Sequence, residues 1–153
     1  MRTATEDEVL ECFWRAERAA PWRWSEADLV ERQRTWRERE GLFLGFPDDV
    51  AWERAALTRD ELLAILYISW HWWVKVSHGT RLPRMAEEGD RAIAVAVATN
   101  PELIVVTEPS RAKLVCLEGH IRLSSYANFP EYLPDELELY LGVSARITEW
   151  ANF

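Results

Sequence analysis

Five consecutive residues, Glu118-Gly119-His120-Ile121-Arg122, bring together side chains that phosphoryl chemistry uses. Lys113-Leu-Val-Cys-Leu117 before them is rich in strand formers, and the run from His120 to Ala127, stopped by Asn128-Phe-Pro130, reads as a short helix. A strand that passes through one glycine into a helix exposes peptide N–H groups at the helix start, where they and the helix dipole favour an anion. Phosphate is the natural candidate. Gly119 lets the main chain approach a ligand closely, and Arg122, in the first turn, adds a permanent cation with forked donors. His120 can give or take a proton near neutral pH, and Glu118 can hold a magnesium ion or act as a base. A turn glycine ahead of a surface helix carrying His and Arg is also a common structural pattern, so the string alone leaves both readings open.

The neighbouring elements must deliver this junction. Leu103-Ile-Val-Val106 reads as a strand and Glu108-Pro-Ser-Arg111 as a turn, so the strand ending at Glu118 is the second arm of a hairpin. Leu137, Leu139 and Leu141 alternate with Glu136, Glu138 and Tyr140, the pattern of a strand with one buried face. Earlier in the chain, Thr5-Glu-Asp-Glu8 is a capping box that opens a helix through Val9, Leu10, Phe13 and Trp14, ended by Pro21. Ser25-Glu-Ala-Asp28 opens another, whose interspersed charges up to Glu40 mark a solvated face. Leu42 to Asp49 reads as a loop lying against the body. Thr58-Arg-Asp-Glu61 is a further capping box, and Leu62 to about Val76 is apolar on nearly every face, which predicts one helix buried from more than one side. Pro83 to Thr99 reads as a helix on its alanines, although Ile93, Val95 and Val97 recur at strand spacing.

The hairpin, the Glu118–Arg122 motif, the following Leu123-Ser-Ser-Tyr-Ala127 and the later strand resemble the ParB/sulfiredoxin superfamily over roughly residues 80–145. Sulfiredoxins place a reactive cysteine directly after the glycine, where His120 stands here; partition proteins carry a GxRR-like motif, and Ile121 replaces its first arginine. Free-serine kinases of the superfamily carry a DGHHR-like sequence, which Glu118 to Arg122 matches at four positions if Glu is allowed for Asp. That resemblance implies a nucleotide, ATP or ADP, with its phosphates at the helix start, Mg²⁺ nearby and a small hydroxylated acceptor. It implies cofactor contacts from Gly119, Arg122 and Ser124, a metal ligand in Glu118 and catalytic roles for Glu118 and His120. The expected architecture is one α+β domain over residues 1–153, in which a tryptophan-rich helical half (1–80) covers a small ParB/sulfiredoxin-like sheet (80–153).

A second group of polar residues leaves the apolar segment at Ser77-His-Gly-Thr-Arg81. His78, Thr80 and Arg81 could bind an anionic substrate, while a plain helix C-cap explains Gly79 equally well. His71, among Trp70, Trp72 and Trp73, is either a packed core histidine or a substrate contact. Cys12 and Cys116 have no metal or CxxC spacing and are expected as buried free thiols. Nine tryptophans in 153 residues are mostly packing, though several together can line a cleft. With 26 acidic against 18 basic residues, the net charge of −8 opposes binding to nucleic acid and to anionic membranes. No apolar run reaches bilayer length and the start lacks a signal-peptide pattern, so a cytoplasmic location is expected. A small-molecule substrate is the expected partner, and a homo-oligomer stays open. The expected function is an enzyme binding a nucleotide or other phosphorylated ligand at the junction, with Mg²⁺-dependent phosphoryl transfer as its reaction. The alternative is a non-catalytic ligand-sensing or protein-interaction module.

Overall fold

A computed structural model of the protein describes residues 1–18, 25–27, 30, 41–83 and 102–153. Among these residues it is a mixed α+β fold. Strand β1 (Arg2–Thr3) leads through the Thr5 capping box into helix α1 (Glu6–Arg18). Strand β2 (Ala51–Thr58) runs directly into the short helix α2 (Arg59–Leu63), and a second short helix, α3 (His71–Val76), follows. Then come β3 (Ile104–Thr107), β4 (Leu114–Glu118), α4 (His120–Asn128) and β5 (Glu136–Val143). The five strands form one sheet in the order β1-β2-β5-β3-β4, antiparallel throughout except for the parallel β5/β3 pair.

Alternation along the strands separates two apolar layers, because successive side chains in a strand point to opposite faces. Ile104, Val106, Val115, Leu117 and Tyr140 pack with α1 residues Val9 and Phe13 and with Trp150 of the C-terminal segment. Leu103, Val105, Cys116, Leu139 and Leu141 pack with Leu62 of α2 and with Leu123 and Tyr126 of α4. The sheet is thus covered on both faces, and α4 is tied down by one of them.

Two expectations for the N-terminal half are corrected. Residues 51–58, not read as a strand from sequence, pair with β5 over all eight positions, so the sheet draws on both halves and residues 1–80 are not simply a helical extension. The expected helix from Leu62 to Val76 is interrupted after α2. Leu66 forms a parallel bridge with Val115, its N–H donating to Leu114 O at 2.9 Å while Cys116 N–H donates to Leu66 O at 2.8 Å. The outer edge of β4 offers unpaired peptide groups, and a stretch of β-branched and aromatic residues satisfies them better as extended chain than as helix. The expected helices over 25–40 and 83–99 fall largely outside the described residues.

The Thr58 capping box is complete. Glu61 N–H reaches Thr58 Oγ1 at 3.4 Å and the Glu61 carboxylate accepts from Thr58 N–H at 2.8 Å. Thr58→Ala is expected to cost about 1 kcal/mol, read as a lower urea midpoint at unchanged m-value. No described helix is long and apolar enough to cross a membrane.

Candidate functional site

Gly119 is the N-cap of α4 and sits in the left-handed region, at φ +101° and ψ 27°. No side chain caps the helix start by hydrogen bonding, so the first-turn N–H groups are left to other partners. Leu123 N–H closes the first turn on Gly119 O at 2.8 Å. Gly119 is itself buried: a Cβ there would stand 2.5 Å from Leu103 Cδ2 and 3.5–3.6 Å from Nε and Nη2 of Arg122. The Arg122 guanidinium therefore folds back over the glycine rather than pointing away from the helix start.

Arg122 is largely buried, with 18% of its side chain exposed, and faces the Glu118 carboxylate at 3.7 Å. That separation is an ion pair beyond hydrogen-bond distance, and among the described residues no group accepts a hydrogen bond from the guanidinium. A cation so enclosed, with its forked donors unused by those neighbours, can turn them to an anion at the same helix start. Its positive field also acts on Cys12, Cys116 and Tyr126, which places it in the seam between α1, the end of β4 and α4.

That seam holds residues the sequence reading did not single out for the site. Glu102 accepts from Arg15 at 2.7 Å and from the Cys12 thiol at 3.6 Å. Burial, and then the negative charge of Glu102, pushes the Cys12 thiol up to about 12. Burial likewise pushes Cys116 up, and both thiols are free and buried, as expected. Arg15 and Glu102 lie far apart in sequence, and only the packing of α1 beside β3 brings them together.

His120 turns into the protein. Its ring is stacked against Trp73, with centroids 4.8 Å apart, and lies nearly parallel to Tyr67, 23° between the planes, at 5.8 Å. Nε2 accepts the Ile68 N–H at 3.2 Å, which puts the ring proton on Nδ1. Burial holds its pKa down to about 3. His120 is thus a neutral acceptor at physiological pH, and it locks the start of α4 to the extended chain at Ile68. Ser124, one turn further on, is buried; it donates to His120 O at 2.8 Å and shares a short hydrogen bond with the Tyr67 hydroxyl.

The loop after α3 is occupied with the chain itself. Thr80 donates to Ser77 O at 2.7 Å. Arg81, at φ +59°, donates to the carbonyl oxygens of Tyr67, Asn152 and Phe153 at 2.9, 3.2 and 2.9 Å, and burial lowers its pKa. Lys113 reaches the same Phe153 oxygen at 2.8 Å. These two cations seat the C-terminal segment beside an open cleft of about 610 Å³ lined by Glu108, Lys113, Thr148 and Phe153, at the opposite end of β4 from Gly119. His78 is exposed, and His71 is exposed rather than enclosed by its tryptophan neighbours. Of the residues proposed from sequence, Glu118, Gly119 and Arg122 come together where β4 passes into α4, and His120 packs beneath them; His71, His78, Thr80 and Arg81 belong to the segment around α3.

No group of three or more His, Cys, Asp or Glu side chains among the described residues could hold a metal ion by itself. Mg²⁺ commonly takes one or two protein carboxylates and completes its shell with phosphate oxygens and water; at the start of α4 the neighbouring carboxylate is Glu118, which faces Arg122. No family model, curated protein or solved structure matches the chain.

Proposed function

We propose that this chain binds a phosphorylated small molecule, a nucleotide such as ATP or ADP being the leading class, at the start of α4, and that it is a Mg²⁺-dependent phosphotransferase for a small hydroxylated metabolite. The observation that carries the reading is the largely buried Arg122 guanidinium, folded over an uncapped helix start at Gly119 and making no hydrogen bond to a described residue. The likeness of Glu118 to Arg122 to the motif of ParB/sulfiredoxin-like kinases supports it. The helix-start amides and Arg122 hold phosphate oxygens, and Glu118 takes one position on the magnesium ion or accepts the acceptor's hydroxyl proton. His120, neutral and fixed by Ile68 and Trp73, acts as a positioning residue in this scheme.

A second reading, ligand binding without turnover, is favoured by one specific observation: with its pKa at about 3, His120 is a poor proton carrier at neutral pH. Titration of ADP with Mg²⁺ followed by calorimetry tests the shared step. Arg122→Ala is expected to weaken binding by at least ~10-fold, as loss of a charge-assisted contact does, while leaving the melting temperature nearly unchanged. Equal affinity in wild type and variant would overturn the phosphate role. Nucleotide turnover that disappears in Glu118→Gln would select the enzyme over the binding module.

A further inference from the structure

The geometry points to Trp73 as an aromatic platform that selects a ligand carrying a flat ring, so that the site takes a nucleotide in preference to a bare phosphate or pyrophosphate. This inference rests on the phosphate reading above and specifies the other half of the ligand.

Three rings meet beside the first turn of α4. The Trp73 indole is 4.6 Å from Tyr67 and 4.8 Å from His120, while Tyr67 and His120 are 5.8 Å apart, and the three planes lie within 22–36° of one another. Were the indole sandwiched between the other two, their centroids would stand nearly twice as far apart as either is from Trp73. They do not, so Tyr67 and His120 lie side by side beneath one face of Trp73. No ring among the described residues is stacked on the opposite face; Trp73 packs against the apolar layer that includes Ile68 and Trp150 and remains partly exposed. Below, the indole is held by two rings that are themselves fixed, Tyr67 through Ser124 and His120 through Ile68. A rigid, partly exposed indole costs little ordering entropy when a second ring settles on it.

Its position supplies the occupant. His120 is the first residue of α4 and directly follows Gly119, so the Trp73 platform adjoins the same helix start that Arg122 covers. A ligand with an anionic end at Gly119 and an aromatic end on Trp73 is a nucleotide in outline. Stacking of a base on an aromatic side chain tolerates any base, so the platform selects nucleotides as a class.

The test compares ADP with inorganic pyrophosphate, each with Mg²⁺, by calorimetry on the wild type, Trp73→Leu, Trp73→Phe and Trp72→Ala, with melting curves for all four. In the wild type ADP is expected to bind at least ~10-fold more tightly than pyrophosphate, as a stacking contribution implies. Trp73→Leu should abolish that ratio while pyrophosphate affinity holds, Trp73→Phe should keep part of it, and the more exposed Trp72→Ala should keep all of it. Should Trp73→Leu fail to fold, the wild-type ratio and Trp73→Phe decide. Equal binding of ADP and pyrophosphate by the wild type, or an undiminished ratio in a folded Trp73→Leu or in Trp73→Phe, overturns the platform and leaves the phosphate site standing. Binding of neither ligand overturns both.

Discussion

Between pH 7 and pH 5 the folded protein is expected to lose about 2 kcal/mol of stability through His120 alone. In the folded state burial holds this imidazole down to about 3, whereas an unfolded histidine titrates near 6.5. Below that unfolded value the unfolded chain binds a proton that the folded chain refuses, so the contribution is fully present above about pH 6.5 and disappears as pH falls toward 3. The slope approaches ~1.4 kcal/mol per pH unit, and the loss by pH 5 requires only that the folded value lie well below 5. Carboxylates act in a lower window. Glu8, whose pKa is held to about 2 by the Arg2 side chain and then by Thr5 N–H, contributes stability that is lost as pH falls from about 4.5 through 2. Urea denaturation at half-unit pH steps separates the two windows. His120→Phe preserves a ring against Trp73 but abolishes the acceptor for Ile68 N–H, so it should be less stable at pH 7 by roughly 1–3 kcal/mol and lack the His120 component of the slope between pH 7 and 5. An unaltered slope in that variant would show that His120 does not titrate on unfolding.

The burial behind this behaviour was not legible in the chain, whereas the junction was. A β-rich run, one glycine and a helix ended by Asn128-Phe-Pro130 are local signals, and β4, Gly119 and α4 follow them within a residue. The same holds for the alternating leucines of β5 and for the hairpin turn, where Arg111 N–H closes on Glu108 O. What failed depended on partners distant in sequence. Ala51-Trp-Glu-Arg-Ala-Ala-Leu-Thr58 contains good helix formers and no regular alternation, and it becomes a strand because β5 presents eight consecutive positions to pair with. Residues 64–69 are as apolar as a buried helix, and the open edge of β4 draws them out. His120 carries the same consequence into the site. Its residue type suggested a proton carrier, but the extended chain at Ile68 supplies a main-chain donor and α3 supplies an indole, and both arise from that missed interruption. Arg15 and Glu102 reach the seam near Arg122 only through tertiary packing, with no spacing signal to reveal them.

Gly119→Ala is expected to destabilise the protein by about 2–3 kcal/mol, and two separable effects combine to give that figure. An L-residue at φ +101° and ψ 27° carries a backbone penalty of roughly 1–2 kcal/mol that glycine does not. The new methyl would also meet Leu103 Cδ2 at 2.5 Å, inside a fully buried layer where displacement of a side chain costs ~1–3 kcal/mol. Against these, alanine reduces the freedom of the unfolded chain by roughly 0.4–1 kcal/mol. The contact with Arg122, at 3.5–3.6 Å, is ordinary and adds no strain of its own. A double-mutant cycle with Leu103→Val distinguishes the parts: shortening Leu103 should recover the steric share and leave the backbone share. The same methyl would stand 3.5–3.6 Å from Nε and Nη2 of Arg122, against the guanidinium that has to turn to a phosphate at the helix start. Affinity for ADP with Mg²⁺ should therefore remain low in the Gly119→Ala/Leu103→Val pair even where folding is restored. Stability and binding that recover together would mean that the glycine serves only the turn, and that phosphate does not approach the main chain there.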